Sequence, residues 1–228
     1  MAADGNNDRA TSSTPSVGVA STNGHGHTIS PDSATSADAL RKVLLVVDVQ
    51  VNMLDPVTGV PGAASIRTNI ERVLHFARTA RIPPLIVHVR NNGEAGEADA
   101  PGTKGWELAL DGTPGPGEPV IDKHKNNAFA GTGLGELVDP KAALVVVGMQ
   151  SDFCIRATCS AALGRGNTVF LVEDAHATYD RPEAYQTGGP ALVTPAHTVV
   201  QEIESELEEA GVFVVKVDDL PHVFDEDS

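Results

Sequence analysis

The feature that most constrains this chain is a series of short aliphatic runs separated by stretches of helical periodicity. Lys42–Val47 is aliphatic after its lysine. Leu85–Val89 and Ala142–Val147 repeat the texture, and Val120-Ile121 (ending at Lys123), Thr168–Val172 and Val212–Val217 are shorter or more mixed versions. An uninterrupted aliphatic run of strand length belongs to a strand covered on both faces, as in a parallel sheet. Between the runs, Ile66, Ile70, Val73, Leu74 and Ala77 share one face of a helix. Leu134 and Leu137-Val138 predict a short helix stopped by Asp139-Pro140. Asp152–Leu163 predicts another, with Ile155, Cys159, Ala162 and Leu163 on one face and Gly164 or Gly166 ending it. Thr194-Pro195 reads as an N-cap and first helical residue. The helix behind it turns Val200, Ile203 and Leu207 inward and stops at Gly211. Six strands interleaved with helices predict one doubly wound α/β domain over residues 39–221: a mostly parallel six-stranded sheet with helices on both faces.

Composition narrows what surrounds that domain. Of the 228 residues 41% are hydrophobic but only 4% aromatic, so the core is built from Val, Leu, Ile and Ala. With Lys+Arg 16 against Asp+Glu 31, the net charge of −15 argues against nucleic acid or an anionic membrane surface, both of which need a basic footprint. No apolar run approaches the ~18 residues of a membrane span. Two cysteines five positions apart make no disulfide framework and suit a reducing, cytoplasmic setting.

Residues 1–38 hold twelve Ser/Thr and three large aliphatics (Val17, Val19, Ile29), which predicts a disordered tail. The tail lacks the basic and apolar regions of a secretory signal, and one Arg against four Asp does not fit a mitochondrial presequence. His25-Gly26-His27 is read as part of this tail, not as a metal site. Residues 222–228, with Asp225-Glu226-Asp227, predict an acidic C-terminal tail. Residues 91–119 contain seven Gly and four Pro; so long an irregular segment inside a domain is often an active-site lid, here with a turn of helix at Trp106–Leu110.

In a doubly wound sheet the ligand crevice lies beyond the carboxyl ends of the strands. Asp48, Lys123 and Cys154 sit at or just after such ends. Cys154 falls in the first turn of a helix, where free N–H groups and the helix dipole favour a thiolate and can receive an oxyanion. Cys159, one turn on, reads as core. Asp48 is either a turn-forming residue or a carboxylate of raised proton affinity able to take the thiol proton. Lys123 would be the cation that holds Asp48 or stabilises charge on the substrate, with Lys125 as its competitor.

Cysteine, carboxylate and lysine in this order resemble the triad of the isochorismatase-like cysteine hydrolases, a family that includes nicotinamidases and carbamoylsarcosine amidases. The matching segments are Val43–Gln50 (aliphatic strand and D-x-Q), Lys123–Thr132 (K-x5-F-x-G-T), Gly148–Thr158 (G-x5-C-[VI]-x-x-T) and Asp174-Ala175. The resemblance implies nucleophile Cys154, base Asp48 and, by register with Phe129, Lys123 over Lys125. It also implies a cis peptide between Met149 and Gln150, with the Gln150 and Cys154 N–H groups as oxyanion hole. Gln50, Trp106, Phe129 and Met149 are the expected substrate contacts.

Nicotinamidases in this family carry Asp/His metal ligands after the second strand. Asn91–Val120 has no histidine, and His88 reads as a strand residue, so no metal and no cofactor are expected. Gly131–Gly135 reads as a flexible loop, not a phosphate cradle. The implied function is metal-independent cleavage of a C–N bond in a small amide through a thioester. The alternatives are a vinyl-ether hydrolase with Asp48 as acid and Cys154 idle, or a non-catalytic scaffold. Expected partners are a small-molecule amide and further copies of the chain, with neither nucleic acid nor membrane.

Overall fold

A computed structural model describes residues 42–183 and 192–225. The segment 1–38 with His25 and His27, and residues 226–228 of the acidic end, lie outside the described residues. In chain order the elements are β1 (Lys42–Val47), α1 (Ala63–Thr79), β2 (Leu85–Asn91), β3 (Val120–Lys123), α2 (Leu134–Leu137) and β4 (Ala143–Met149). A π-helical turn (Ser151–Ile155) then runs into α3 (Arg156–Arg165). It is followed by β5 (Thr168–Ala177), β6 (Arg181–Pro182), β7 (Val193–Thr194), α4 (Ala196–Ala210), β8 (Phe213–Val215), a 3-10 turn (Val217–Asp219) and α5 (Leu220–Asp225).

The main sheet has the order β3-β2-β1-β4-β5-β8, with every neighbouring pair parallel. The chain winds outward from β1 in one direction and from β4 in the other, so the order reverses between these two central strands. That reversal opens a crevice at their carboxyl ends. The continuous aliphatic runs are explained by two buried faces. Val43, Leu45 and Val47 meet Cys159 of α3 and Val199 and Ile203 of α4. Leu44 and Val46 point the other way, onto Ile70, Val73 and Leu74 of α1. Among the described residues, no helix is long and apolar enough to cross a membrane.

Several expectations need correction. No helix forms at Trp106–Leu110. Instead Leu108 bridges Gln50 in antiparallel fashion, Val51 N–H donates to Glu107 O (2.9 Å) and Ala109 N–H to Val49 O (3.0 Å), so segment 91–119 is stitched on as a wall. Thr194 is not an N-cap: it lies in β7, and Asp180 Oδ1 accepts the Ala196 N–H (2.8 Å) in its place. α4 therefore starts at Ala196 and buries Val199, Ile203 and Leu207, leaving Val200 only half-buried. The last strand ends at Val215, and α5 places Leu220 and Phe224, an i, i+4 pair, in the α1-side core where the sequence suggested an acidic tail from 222.

His88, in β2, is buried, and its Nε2 lies 2.7 Å from Glu118 Oε2. Burial alone would raise the Glu118 pKa. Hydrogen bonds from Arg78, His88 and the Gly115 N–H outweigh it and pull the carboxyl down to about 2. A carboxyl depressed on folding stabilises the fold above its ordinary value of 4.5 and loses that contribution as pH falls towards about 2. Urea midpoints of the native chain and of Glu118→Gln should accordingly differ at neutral pH and converge through this acid window. A gap that stays constant with pH would contradict the linkage.

Candidate active site

The crevice is built from the residues that end β1, β3 and β4. Asp48 follows β1 directly and has φ 51°, the one positive φ at a non-glycine among the described residues. Its N–H donates to Val89 O (2.8 Å), which ties the bend to β2. The left-handed region is uncommon for any residue with a Cβ, Asp and Asn being the usual exceptions through their polar side chains, and such outliers cluster at functional sites. The bend turns the carboxylate into the crevice, where it is 2% exposed.

Lys123 ends β3 and is 1% exposed. Its Nζ donates to three acceptors, matching its three protons: Asp48 Oδ2 (2.8 Å), Asn91 Oδ1 (3.1 Å) and Cys154 Sγ (3.2 Å). Asp48, Lys123 and Cys154 are thus brought together as the sequence suggested, and Lys125 is exposed. Asp48 Oδ1 is buried and accepts no hydrogen bond.

The helix predicted from Asp152 opens as a π turn. Ile155 N–H donates to Gln150 O across five residues (3.1 Å), which widens the turn that carries Cys154. Such turns recur at functional sites. The Met149–Gln150 peptide is cis. Just before it, Gly148 has φ 122°, and a Cβ there would fall 1.9 Å from Val47 O. Gly148→Ala should therefore push β4 off β1 and cost ~4 kcal/mol or more, visible as a fall in Tm of roughly 8–16 °C. A variant melting within two or three degrees of the native chain would refute this.

The electrostatics correct one expectation. Burial and the neighbouring Asp48 charge raise the Cys154 thiol to about 12 despite Lys123, so the resting residue is a thiol and not the thiolate that a helix start alone would favour. Burial also raises the Asp48 pKa, against the pull of Lys123. For Lys123 the penalty of burial is overcome by the Asp48 charge and by the hydrogen bonds to Asp48 and Cys154, and its pKa is raised. Cys159 is fully buried, as expected of core, and burial raises it to about 12.

A cavity of about 450 Å³ opens over the triad, with Asp48, Gln150 and Cys154 on its floor and Asn91 and Asn126 beside them. Of the expected substrate contacts, none lines it. Gln50 is fully buried and acts as a clamp, its Nε2 donating to Asn91 O and Trp106 O (3.1 Å each) while its Oε1 accepts the Asn91 N–H (2.9 Å). Trp106 turns its Nε1 to Asn92 Oδ1 (2.7 Å) and its ring face to the Arg90 guanidinium. Phe129 packs on the core under Arg165, and Met149 is buried on the α1 side. These four position the walls and do not touch the cavity.

The sequence reading missed Asn91, Asn126, Asn52, Glu97 and Asp99, all of which line the cavity. A signal existed for Asn91, which ends a strand, and for Asn126, which lies within the K-x5-F segment. None marked the others. Behind the floor, Ser151 Oγ lies 2.8 Å from His176 Nδ1, and His176 Nε2 lies 3.2 Å from Glu204 Oε1, so a buried polar chain anchors the π turn to β5 and α4. Among the described residues, no three His, Cys, Asp or Glu side chains are grouped to hold a metal ion.

Comparison with known proteins follows the same lines. The Isochorismatase domain model matches residues 42–204. A streptothricin hydrolase of Streptomyces noursei is 46% identical over 145 residues, 63% of this chain and 52% of that protein. The chain thus spans about half the length of this curated relative. A secreted isochorismatase effector of Verticillium dahliae is 32% identical over 160 residues, 68% of this chain and 80% of that protein. Among solved structures, an isochorismatase from Pseudomonas putida KT2440 superposes with a TM-score of 0.68 at 29% identity, covering 80% of this chain and 91% of that one.

Proposed function

Since the chain belongs to the isochorismatase family, we propose that it is a cysteine hydrolase that cleaves the C–N bond of a small amide without a metal. The observation that carries this reading is the three-way contact of Lys123 Nζ with Asp48 Oδ2 and Cys154 Sγ, beside a buried Asp48 Oδ1 that has no partner. A nucleophile, a base and a cation in mutual reach are what acyl transfer needs. The streptothricin hydrolase relative supports hydrolysis as the reaction class.

The resting thiol sets the order of events. Its pKa of about 12 means that the proton leaves as the sulphur attacks, and Asp48 Oδ1 is the acceptor. Attack of Sγ on the carbonyl carbon forms the C–S bond and places negative charge on the carbonyl oxygen. The N–H groups of Gln150 and Cys154 are assigned to hold that charge. Collapse expels the amine, which takes the proton from Asp48 and leaves a thioester on Cys154. Water deprotonated by Asp48 then attacks the thioester, and the thiol is restored with the acid as product. Lys123 holds Asp48 in place and neutralises the charge that gathers between carboxylate and sulphur.

Incubation with a panel of small amides that includes streptothricin, quenched and read by intact-mass spectrometry, tests the proposal. An acyl adduct on the peptide containing Cys154, with release of the amine, is the expected result. Turnover with no adduct in the native chain, and undiminished turnover after thiol alkylation, would point to chemistry that bypasses the cysteine.

A further inference from the structure

The cavity over the triad is unbalanced in charge and in hydrogen-bonding sense. Among the described residues, eleven line it, and none of these is Lys, Arg or His. Lys123 lies beneath, and its three donors are taken by Asp48, Asn91 and Cys154. Two carboxylates, Glu97 and Asp99, also line the cavity. Asp99 is 9% exposed, and its side-chain partner is a neutral amide, Asn91 Nδ2 on Oδ2 (2.8 Å). Glu97 receives the Glu94 N–H and is otherwise open to solvent. A buried carboxylate is normally paired with a cation, because desolvation is costly without one. Two further acceptors, Asn52 Oδ1 and Asp48 Oδ1, are buried at the same cavity with no partner. Asp48 Oδ1 awaits the thiol proton, but Asn52 Oδ1 has no role in the chemistry. A buried acceptor left unsatisfied points to a donor that is absent.

Resting on the amide-hydrolase reading, we propose that the substrate is a cationic amide: one that bears, a few bonds from the scissile carbonyl, a protonated amine or amidine-type group recognised by Asn52, Glu97 and Asp99. Such a group has donors for Asn52 Oδ1 and charge for the two carboxylates. A neutral substrate brings no charge to compensate the two carboxylates, and an anionic one is repelled. The position of Asp99 adds a consequence. It holds Asn91, which in turn accepts from Lys123, so the cation site and the catalytic lysine share one hydrogen-bonded line.

Three primary amides of matched length test this: 4-aminobutanamide (cation), pentanamide (its neutral isostere) and succinamate (anion). Ammonia release is followed with the native chain, and binding is followed by calorimetry with Cys154→Ala. The cation should exceed pentanamide by about 10- to 100-fold in kcat/KM and in affinity, the range expected for hydrogen bonds to charged groups, with succinamate weakest. High salt should shrink the gap. Glu97→Gln combined with Asp99→Asn should bring the cation-to-neutral ratio close to one; a ratio cancels any general loss of activity. Glu97→Gln alone, at an exposed position, should lower the ratio even if the double variant folds poorly. Equal or better binding of pentanamide or succinamate overturns the proposal, as does a ratio untouched by both variants or no measurable binding of the cation. Preferential binding of the cation to Cys154→Ala without ammonia release or an acyl adduct in the native chain would sink the amidase reading and leave the cation site standing.

Discussion

Cys154→Ala and Cys154→Ser are expected to fold as the native chain does and to lose nearly all turnover, with no acyl adduct trapped. In the proposed mechanism the sulphur forms and releases the thioester. It lies 3.2 Å from Lys123 Nζ and 3.7 Å from Asn126 Oδ1, with the Asp48 carboxylate close by. Neither contact carries much stability, so a small substitute leaves the turn intact. Serine keeps the geometry but offers a poorer nucleophile that Asp48 is too weak a base to activate. Cys159 supplies the control. It lies fully buried among Ile155, Ala162 and the sheet, so Cys159→Ala should cost ~0.5–3 kcal/mol of stability and keep activity. Alkylation should label Cys154 first, because Cys154 lines the cavity and Cys159 does not. Native turnover by Cys154→Ala, or faster labelling of Cys159, would remove the nucleophile assignment.

The second large effect is expected at Lys123, where catalysis and folding are joined. Lys123→Met removes the partner of a carboxylate that is itself 2% exposed. Breaking one side of a buried pair leaves a charge with no compensation, at a cost of about 3–5 kcal/mol, or roughly 6–20 °C in Tm. Asp48 answers partly by staying protonated, and then cannot accept the thiol proton, so turnover should fall by the ~10²–10⁴-fold of a lost general base. The double variant Asp48→Asn/Lys123→Met removes both charges. It should recover most of the stability and none of the activity, whereas Asp48→Asn alone strands the ammonium. Thermal melts on the three variants, with acyl trapping alongside, separate the two roles. Additive stability losses in the double variant would mean that the two side chains do not act as a pair.

How much of this was legible beforehand depends on what each residue answers to. β1 could be read from Val43–Val47 because a strand buried on both faces has no room for a polar residue, and its two faces do pack on different helices. Asp48 stood out because it ends such a run and Lys123 because it ends the short strand Val120-Ile121, with Lys125 as its competitor, and a parallel sheet carries strand ends to one edge whatever their separation in sequence. The faces of α1 followed from 3.6-residue spacing. α4 was misread by one position at Val200 because its start was assigned to Thr194-Pro195, while the N–H of Ala196 is capped by Asp180, sixteen residues away.

The errors at the site share that cause. Gln50 and Phe129 are a polar and an aromatic residue in motif segments and Trp106 lies in the segment 91–119, and nothing local distinguishes a side chain that faces a ligand from one that clamps a wall. Gln50 is committed to Asn91 and Trp106, contacts that exist only once residues 91–119 have folded back across β1. The thiol pKa was misjudged for a related reason. A helix start favours a thiolate by local geometry, but the burial and the Asp48 charge that raise Cys154 to about 12 come from other strands. Periodicity and strand-end chemistry, being properties of neighbours in sequence, were legible in the chain alone: the layers and the strand ends that carry Asp48, Lys123 and Cys154, with the choice of Lys123 over Lys125 coming from the family resemblance. Dielectric, orphaned acceptors and cavity walls are sums over residues that meet in space, so the protonation of the thiol and the acidic wall of Glu97 and Asp99 were decided by the tertiary structure.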